Sequence, residues 1–168
     1  MKVILWGLTV FVMAHTATAA EFKIASIDLS RTFDEFKKTK EADKLLEGKG
    51  SEKKAERDKK VTEIKKLKDE LDLLNDKGKK EKQALIDQKV KELQEFDREV
   101  RDSLRQERDQ MVREILKEID GVIKDYGSKN GYTIILNDHV LLYKEKSLDV
   151  TNDILEILNK EPKEAKER

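Results

Sequence analysis

The sequence predicts an α+β protein that is mostly helical, in which a long antiparallel helical hairpin projects from a small β body. Charged residues make up 43% of the 168 positions, a share typical of long solvated helices. Apolar residues recur at three- and four-residue steps through a proline-free region, residues 31–126, which indicates helix. Short β-forming segments lie at both ends of that region, so the ends are expected to form the body.

The composition excludes several other classes of protein. The 36 Lys and Arg residues balance the 36 Asp and Glu residues, which disfavours both a basic nucleic-acid-binding protein and an acidic disordered tail. The absence of cysteine excludes a disulfide scaffold and a Cys-ligated zinc site. We therefore expect no nucleic-acid partner and no cofactor.

Residues 1–20 are predicted to be a signal peptide. Lys2 precedes an apolar run, residues 3–13, and a small-residue site that predicts cleavage after Ala19 or Ala20. The alternative, an uncleaved membrane anchor, is disfavoured because the run is shorter than the roughly 20 residues that span a bilayer. Without Lys2 the chain carries 35 basic and 36 acidic residues, a net charge of −1. The protein is therefore expected to be exported.

Residues 21–30 are predicted to form a strand that leads into a helix. Asp28 or Ser30 can serve as the N-cap, because a short side-chain oxygen accepts a hydrogen bond from a free amide of the first turn. Thr32 and Glu35 also fit a capping box, so the start of the helix stays open.

Residues 31–126 are predicted to form the two arms of the hairpin. In the first half, apolar residues follow a 3-4-3 heptad spacing at Ile64, Leu67, Leu71 and Leu74. In the second half, they recur every eleven residues at Leu93, Leu104, Ile115 and Tyr126. An eleven-residue repeat favours a nearly straight arm.

The turn of the hairpin is predicted at Asn75, Asp76, Lys77 and Gly78, with the tip near residues 75–79. Gly78 is expected to adopt the left-handed conformation that ends a helix. The two arms are then closely matched in length. The alternative is one uninterrupted helix that dimerises as a coiled coil; the hairpin is favoured because it brings the two β-forming ends together.

Gly48 and Gly50 interrupt a polar stretch of the first arm. Each glycine costs a helix about 1 kcal/mol relative to alanine. We expect a bend, a frayed turn or a flexible joint there; the alternative is an ordinary solvent-facing helix.

Residues 127–161 are predicted to return the chain to the body. Gly131–Asn137 and Val140–Lys144 are expected to be two strands around a tight link. A short helix then begins at Asp149 or Thr151 and ends before Pro162. Its apolar side is predicted to consist of Val150, Ile154, Ile157 and Leu158. Residues 162–168 are expected to be a disordered tail.

Such a body is marginal in a single chain, so we expect several chains to share one β core. The number of subunits stays open at this point. The residues predicted to build this body are Phe22, Ile24, Ile27, Leu29, Tyr132, Ile134, Leu136, Val140, Leu142 and Tyr143.

The sequence carries almost no sign of catalysis. It has no Gly-rich phosphate loop, no G-x-S-x-G and no H-E-x-x-H motif. His139 beside Asp138 could bind a metal, but a lone turn histidine is usually a solvated loop residue. We expect a protein without enzymatic activity.

Four lysines cluster near the predicted tip: Lys77, Lys79, Lys80 and Lys82. Such a cluster could contact an anionic partner, for example anionic lipid or lipopolysaccharide. The alternative is that these lysines only keep the arm soluble.

The organisation of the chain resembles the periplasmic Skp/OmpH chaperone family. The resemblance rests on the exported N-terminus, Lys23–Phe33 (KIASIDLSRTF), the charged hairpin, Gly131–Asn137 (GYTIILN) and Asp149–Ile154 (DVTNDI). It implies a jellyfish-like homotrimer whose β body joins three chains and whose arms enclose a cavity. It also implies a holdase that keeps unfolded outer-membrane proteins soluble without ATP. Members of the family are strongly basic, whereas this chain is nearly neutral.

Apolar residues left over from the seam are the candidate client contacts: Leu45, Leu46, Leu73 and Leu85. Packing within the hairpin is an equally good interpretation of them. The main rival function is an exported coiled-coil spacer or adaptor without holdase activity.

Overall fold

The computed structural model describes residues 22–71 and 73–160. The predicted signal peptide with its cleavage site, and the predicted tail at residues 162–168, lie outside the described residues. No helix within the described part is long and apolar enough to cross a membrane.

The chain is mostly helical with a small sheet, as the sequence predicts. Within residues 22–71 and 73–160, two strands, two short 3-10 turns and four α-helices follow one another in this order: β1 (Ile24–Ile27), α1 (Leu29–Glu35), α2 (Lys37–Leu71), α3 (Asp76–Lys129), β2 (Ile134–Asn137), the turns Asp138–Val140 and Lys146–Leu148, and α4 (Thr151–Asn159).

The arm is an antiparallel pair of α2 and α3, which confirms the predicted hairpin. With 35 and 54 residues, the helices measure about 52 and 81 Å at 1.5 Å per residue. Their apolar contact is narrow, because the buried apolar residues described in the distal arm are few: Ile64 on α2 and Ile86 on α3.

A ladder of five ion pairs links α2 to α3 along the whole arm. The nitrogen–oxygen distances lie between 2.6 and 3.2 Å. Each exposed pair contributes only about 0–1 kcal/mol, but all five fit one antiparallel register. The rungs are Lys38–Glu118, Lys49–Glu107, Arg57–Asp97, Glu63–Lys89 and Glu70–Lys82.

The turn of the hairpin precedes its predicted position. α2 ends at Leu71, and Asn75 caps α3 by accepting a hydrogen bond from the Gly78 amide over 2.9 Å. Asp76, Lys77 and Gly78 therefore lie in the first turn of α3, and the prediction that Gly78 ends a helix is wrong. The Asn75 side chain provides a helix start, which overrides the turn propensity of the residues that follow.

The left-handed glycine occurs instead at the other end of α3. Gly131 has a φ of +69° just after the helix, which suits a residue without a Cβ. The helix continues past Tyr126, and Gly127 is buried where a Cβ would lie 3.2 Å from Ile135 Cδ1. Glycine at position 127 thus lets β2 approach the end of the arm.

A break between α1 and α2 replaces the single helix that the sequence predicts from residue 31. Phe36 has an extended conformation (φ −66°, ψ 128°) and a buried side chain. The free amide of Lys37 donates a hydrogen bond to Asn159 Oδ1 over 2.8 Å. The break therefore directs the Phe36 side chain into the core. The Asn159 side chain of α4 accepts the hydrogen bond of the backbone amide that the break leaves free.

α2 is unbroken at Gly48 and Gly50, so the expectation of a frayed turn is wrong. A Cβ at either position would meet no atom within 4 Å. Motion at these glycines stays a prediction.

The body is organised around β1. It pairs in parallel with β2 in a register from Ile24–Ile134 to Ile27–Asn137. On its other side, the Val150 amide donates a hydrogen bond to the Ser26 carbonyl oxygen over 2.9 Å. A parallel pair requires a crossover connection, and here the whole arm provides it.

The core of the body lies where β1, the end of α3 and α4 meet. Its buried apolar residues are Ala25, Ile27, Phe36, Ile115, Ile119, Val150, Ile154 and Leu158. On α4, Leu155 is buried and Ile157 is exposed, so the prediction of Ile157 in the apolar side is wrong.

The start of α1 confirms one of the predicted caps. Asp28 accepts a hydrogen bond from the Arg31 amide over 2.9 Å, and the Asp28 amide donates to Thr151 Oγ1 over 2.9 Å. The corner between β1 and α1 is thereby tied to α4.

The predicted second strand, Val140–Lys144, is wrong for the single chain. Asp138–Val140 forms a 3-10 turn, and the residues after it pair with no strand of the described chain. The segment is β-forming in composition, but β1 already has β2 on one side and Asp149 on the other. Both edges of β1 are thus occupied.

We predict that the double substitution Gly48→Ala and Gly50→Ala stabilises the protein by about 1–2 kcal/mol, because alanine is the better helix former and meets no atoms there. Urea unfolding measures the gain. Amide exchange at residues 48–51 should be fast in the natural protein and slower in the variant. Uniform protection along α2 in the natural protein would rule out the joint.

Candidate binding surfaces

The described residues contain no cluster of three or more His, Asp or Glu side chains placed to hold a metal ion. His139 lies on the surface with its Nε2 2.9 Å from Ser30 Oγ, so it ties the 3-10 turn to α1. Surfaces that could bind another chain are the more prominent features of the structure.

One surface is an apolar loop at the body, residues 140–143. Val140, Leu142 and Tyr143 are 71%, 108% and 78% exposed, which places them among the most exposed large apolar residues described. Contiguous exposed apolar side chains usually mark an interaction site. The loop therefore lacks a covering surface in the single chain.

The other residues predicted for the shared body fall into three groups by exposure. Ile24 and Ile134 are register neighbours in the sheet and are both partly exposed, as is Phe22 at the start of the described chain. Ile27 is 3% exposed and belongs to the core of the body within the single chain. Leu29 and Tyr132 are half-buried against that core, and Leu136 is half-buried as well.

Lys144 forms ion pairs with one residue before the apolar loop and with one after it. Its ammonium group lies between Asp138 and Asp149, 2.8 Å from Asp149 Oδ2. Burial of Asp149 opposes its charged form, but hydrogen bonds from Lys144 and Thr151 outweigh this and lower the pKa of the carboxyl group to about 2. The same two carboxylates raise the pKa of Lys144. Asp149 is therefore charged at neutral pH, and Lys144 links the turn at Asp138 to the start of α4.

Tyr126 joins the arm to the body. Its hydroxyl donates a hydrogen bond to Asp153 Oδ2 over 2.7 Å, and its ring stacks on Tyr132 at 5.8 Å between centroids. Lys23 Nζ lies 4.2 Å above the Tyr132 ring, a favourable cation–π distance. Burial and the nearby carboxylate raise the pKa of Tyr126. Tyr132 therefore packs within the body of one chain.

Three of the four leucines singled out as client contacts are exposed. Leu45, Leu73 and Leu85 are exposed by 50%, 86% and 39%, whereas Leu46 is half-buried. Leu45 lies near the root of the arm, Leu73 lies at its tip and Leu85 lies near the start of α3, so they do not form one patch along the sequence. The first three are accessible to a partner.

The lysines near the tip do not act as one cluster. Lys82 Nζ lies 2.6 Å from Glu70 Oε2 and forms the last rung of the ion-pair ladder. Lys77, Lys79 and Lys80 are exposed. Acidic residues of both helices lie close to them in sequence, so the charge at the tip is mixed.

The sequence reasoning missed a hollow between the two helices. It has a volume of about 450 Å³, and Phe96, Val100 and Leu104 of α3 line it. Facing them, residues 47–60 of α2 contain Ala55 as their single apolar side chain. Lys53 and Lys60 instead lie 5.9 and 5.4 Å from the centre of the Phe96 ring. The sequence does indicate this hollow, because apolar residues recur at regular spacing along this part of α3 while the facing part of α2 has almost none.

Comparisons with known proteins agree with this architecture. The family described as "Outer membrane protein (OmpH-like)" matches residues 23–158. A solved structure of a candidate outer membrane chaperone (OmpH-like) from Caulobacter crescentus superposes with a TM-score of 0.77 at 13% identity, covering 89% of this chain and 90% of that chain. None of the curated proteins matches. Because the family match spans most of the chain and confirms the resemblance read from the sequence, the protein belongs to the OmpH-like outer membrane protein family.

Proposed function

We propose that the protein is a periplasmic holdase chaperone that binds unfolded outer-membrane proteins without ATP and prevents their aggregation. The observation that carries the proposal is a long, charge-rich arm with accessible apolar side chains in a member of the OmpH-like family. The solved relative is described as a candidate outer membrane chaperone, which supports the same function.

The physics of the client fits such an arm. An unfolded outer-membrane protein exposes strands in which apolar and polar residues alternate, and these strands aggregate. Isolated apolar residues such as Leu45 and Leu85 offer weak contacts within a highly charged, soluble surface. Several weak contacts acting together give strong binding by avidity. Release then needs only a more stable state for the client, the folded barrel in the membrane.

The same proposal includes assembly into a homotrimer whose arms surround a cavity. The two-stranded sheet is too small to be stable alone, and the loop with Leu142 and Tyr143 has no cover within the described chain. The loop also has a β-forming sequence, so a strand from another copy is its natural partner. In the trimer, residues 21–30 and 127–161 would build one body.

Localisation follows from the same proposal. Residues 1–20 would direct export and be removed, leaving the protein in the periplasm, where its clients pass. The exposed lysines Lys77, Lys79 and Lys80 would be available for contact with anionic lipid or lipopolysaccharide.

The rival function is a spacer or adaptor. The five ion pairs between α2 and α3 favour it, because they hold the arm in one register. A spacer needs the arm only for its length, whereas a holdase needs the apolar side chains that the arm exposes.

We predict that the purified protein keeps a urea-unfolded outer-membrane protein soluble after dilution without nucleotide, as measured by light scattering. Replacing Leu45, Leu73 and Leu85 together by Ser should lower the protection severalfold, because apolar contacts are lost. Replacing the exposed polar residues Ser51, Thr62 and Gln94 together by Ala serves as the matched control and should leave protection unchanged. Absence of protection by the natural protein would favour the spacer.

We predict that Leu142→Glu converts the oligomer to monomer, because a charge would have to be buried in the surface between copies. Native mass measurement gives the subunit number, which should be three for the natural protein. Leu45→Glu places the same charge on the arm and should leave the oligomer intact. A natural protein that is monomeric at micromolar concentration contradicts the proposed assembly.

We predict that Asp149→Asn lowers the free energy of unfolding by about 1 kcal/mol at pH 7, since it removes an ion pair while keeping an oxygen for the Thr151 amide. Asp149→Ala removes both contacts and should cost about 1–2 kcal/mol. The folded-state pKa of about 2 lies below the usual value of 3.8. The ionised carboxylate therefore stabilises the fold above about pH 4, and this stabilisation is lost as the pH falls through about 2.

Urea unfolding of the natural protein and of Asp149→Asn at several pH values measures this. The difference between the two should be nearly constant from pH 7 to about pH 4, fall between about pH 4 and pH 2, and be small at pH 2. A difference at pH 2 as large as that at pH 7 would show that the charge of Asp149 is not its cause.

A further inference from the structure

A second hollow lies next to the hollow at Phe96, on the side of the body, and we call the two together the arm groove. The second hollow has a volume of about 260 Å³ and includes Leu45 and Met111 in its lining. Leu45 lies four residues from Lys49, and Met111 lies four residues from Glu107; Lys49 and Glu107 line the first hollow. Residues four apart share one side of a helix, so both hollows open on the same side of the arm.

The floor of the arm groove has the spacing of an extended chain. Phe96, Val100 and Leu104 follow one another at four-residue intervals, which corresponds to about 6 Å along a helix. In a β-strand, side chains on one face repeat about every 6.6 Å. An extended segment with apolar residues at alternate positions would therefore place one side chain over each floor residue.

The charges on the rim of the arm groove that form no ion pair are mainly negative. The lysines that line the two hollows are neutralised, since Lys38, Lys49 and Lys53 pair with Glu118, Glu107 and Glu56. Lys60, with its Nζ 5.4 Å from the centre of the Phe96 ring, adds one positive charge at the distal end. The other carboxylates of the rim form no ion pair with a described residue; they belong to Glu41, Glu52, Glu99 and Glu114. Basic side chains of a bound segment would supply the missing partners.

One ion pair crosses the arm groove between its two hollows. Lys49 Nζ and Glu107 Oε2 lie 2.6 Å apart, with side chains 41% and 36% exposed. An exposed pair contributes little to stability. Breaking this pair to make room for a bound segment would therefore cost little free energy.

We propose that the arm groove binds extended polypeptide segments in which apolar residues alternate with Lys or Arg. The groove runs from the level of Lys38 to that of Lys53, about 22 Å, which holds six or seven extended residues at about 3.3 Å each. The proposal rests on the proposed function, because it assigns to the arm the part of an unfolded client that it would hold.

Three dye-labelled eight-residue peptides test the proposal by fluorescence anisotropy with the full protein. The first alternates Phe and Lys, the second alternates Phe and Glu, and the third contains the residues of the first with its four Phe together. The first should bind at least about fivefold more tightly than either of the others. Equal binding of the first and second would overturn the role of the acidic rim, and equal binding of the first and third would overturn the match in spacing.

Substitutions then locate the site. Ser103 lines the first hollow, so Ser103→Phe should fill it and weaken binding of the Phe–Lys peptide about fivefold or more. Gln94 is exposed and lies nine residues away, on the opposite side of α3, so Gln94→Phe should bind the peptide as the natural protein does. The double variant Glu52→Gln and Glu99→Gln should reduce the preference for Lys over Glu severalfold.

The holdase assay separates this proposal from the proposed function. Protection of an unfolded client by the natural protein together with unchanged peptide binding by Ser103→Phe would overturn the arm groove and leave the holdase standing. Groove-dependent peptide binding without protection would support the arm groove and overturn the holdase. Failure of every peptide to bind would overturn the arm groove, including the case in which another copy covers it.

Discussion

The antiparallel contact between α2 and α3 is the constraint on which the rest of the structure depends. β1 and β2 come from opposite ends of the chain, and they pair only because the arm leads the chain out and back in a fixed register. A narrow apolar seam supplies the attraction, and five ion pairs favour one alignment over its neighbours. If α2 and α3 were shifted by one helical turn relative to each other, β1 and β2 would move apart and the core of the body would be lost.

The arm must keep α2 and α3 in contact and still leave apolar surface exposed. Where α2 carries Lys53 and Lys60 in place of aliphatic residues, Phe96 is covered by the long side chains of lysines rather than by a partner in a seam. Lysine stems cover apolar surface while their charged ends stay in water. The arm therefore stays soluble without burying all of its apolar residues, which is the property that a surface for unfolded clients requires.

Periodicity and composition predicted the helical hairpin, the β-forming ends and the Asp28 cap, because these depend on neighbouring residues. The break at Phe36 was missed because its compensation comes from Asn159, on another helix. The composition of Val140–Lys144 predicts a strand, but β1 has no free edge for it, and the segment leaves the outer edge of β2 unpaired in the described chain. Of the four leucines predicted as client contacts, three are exposed and Leu46 is half-buried, while their role in binding stays a prediction. The arm groove was missed, since a hollow arises from two helices facing each other.

The distance in sequence between β1 and β2 has a consequence for how the protein itself folds. More than a hundred residues separate Ile24 from its partner Ile134, and contacts so far apart form late because a long loop must close first. During synthesis the first strand is made before its partner exists. A protein proposed to shelter unpaired strands thus passes through a stage in which its own first strand is unpaired, and at that stage the early, locally folded charged helices beside it would be its protection against aggregation.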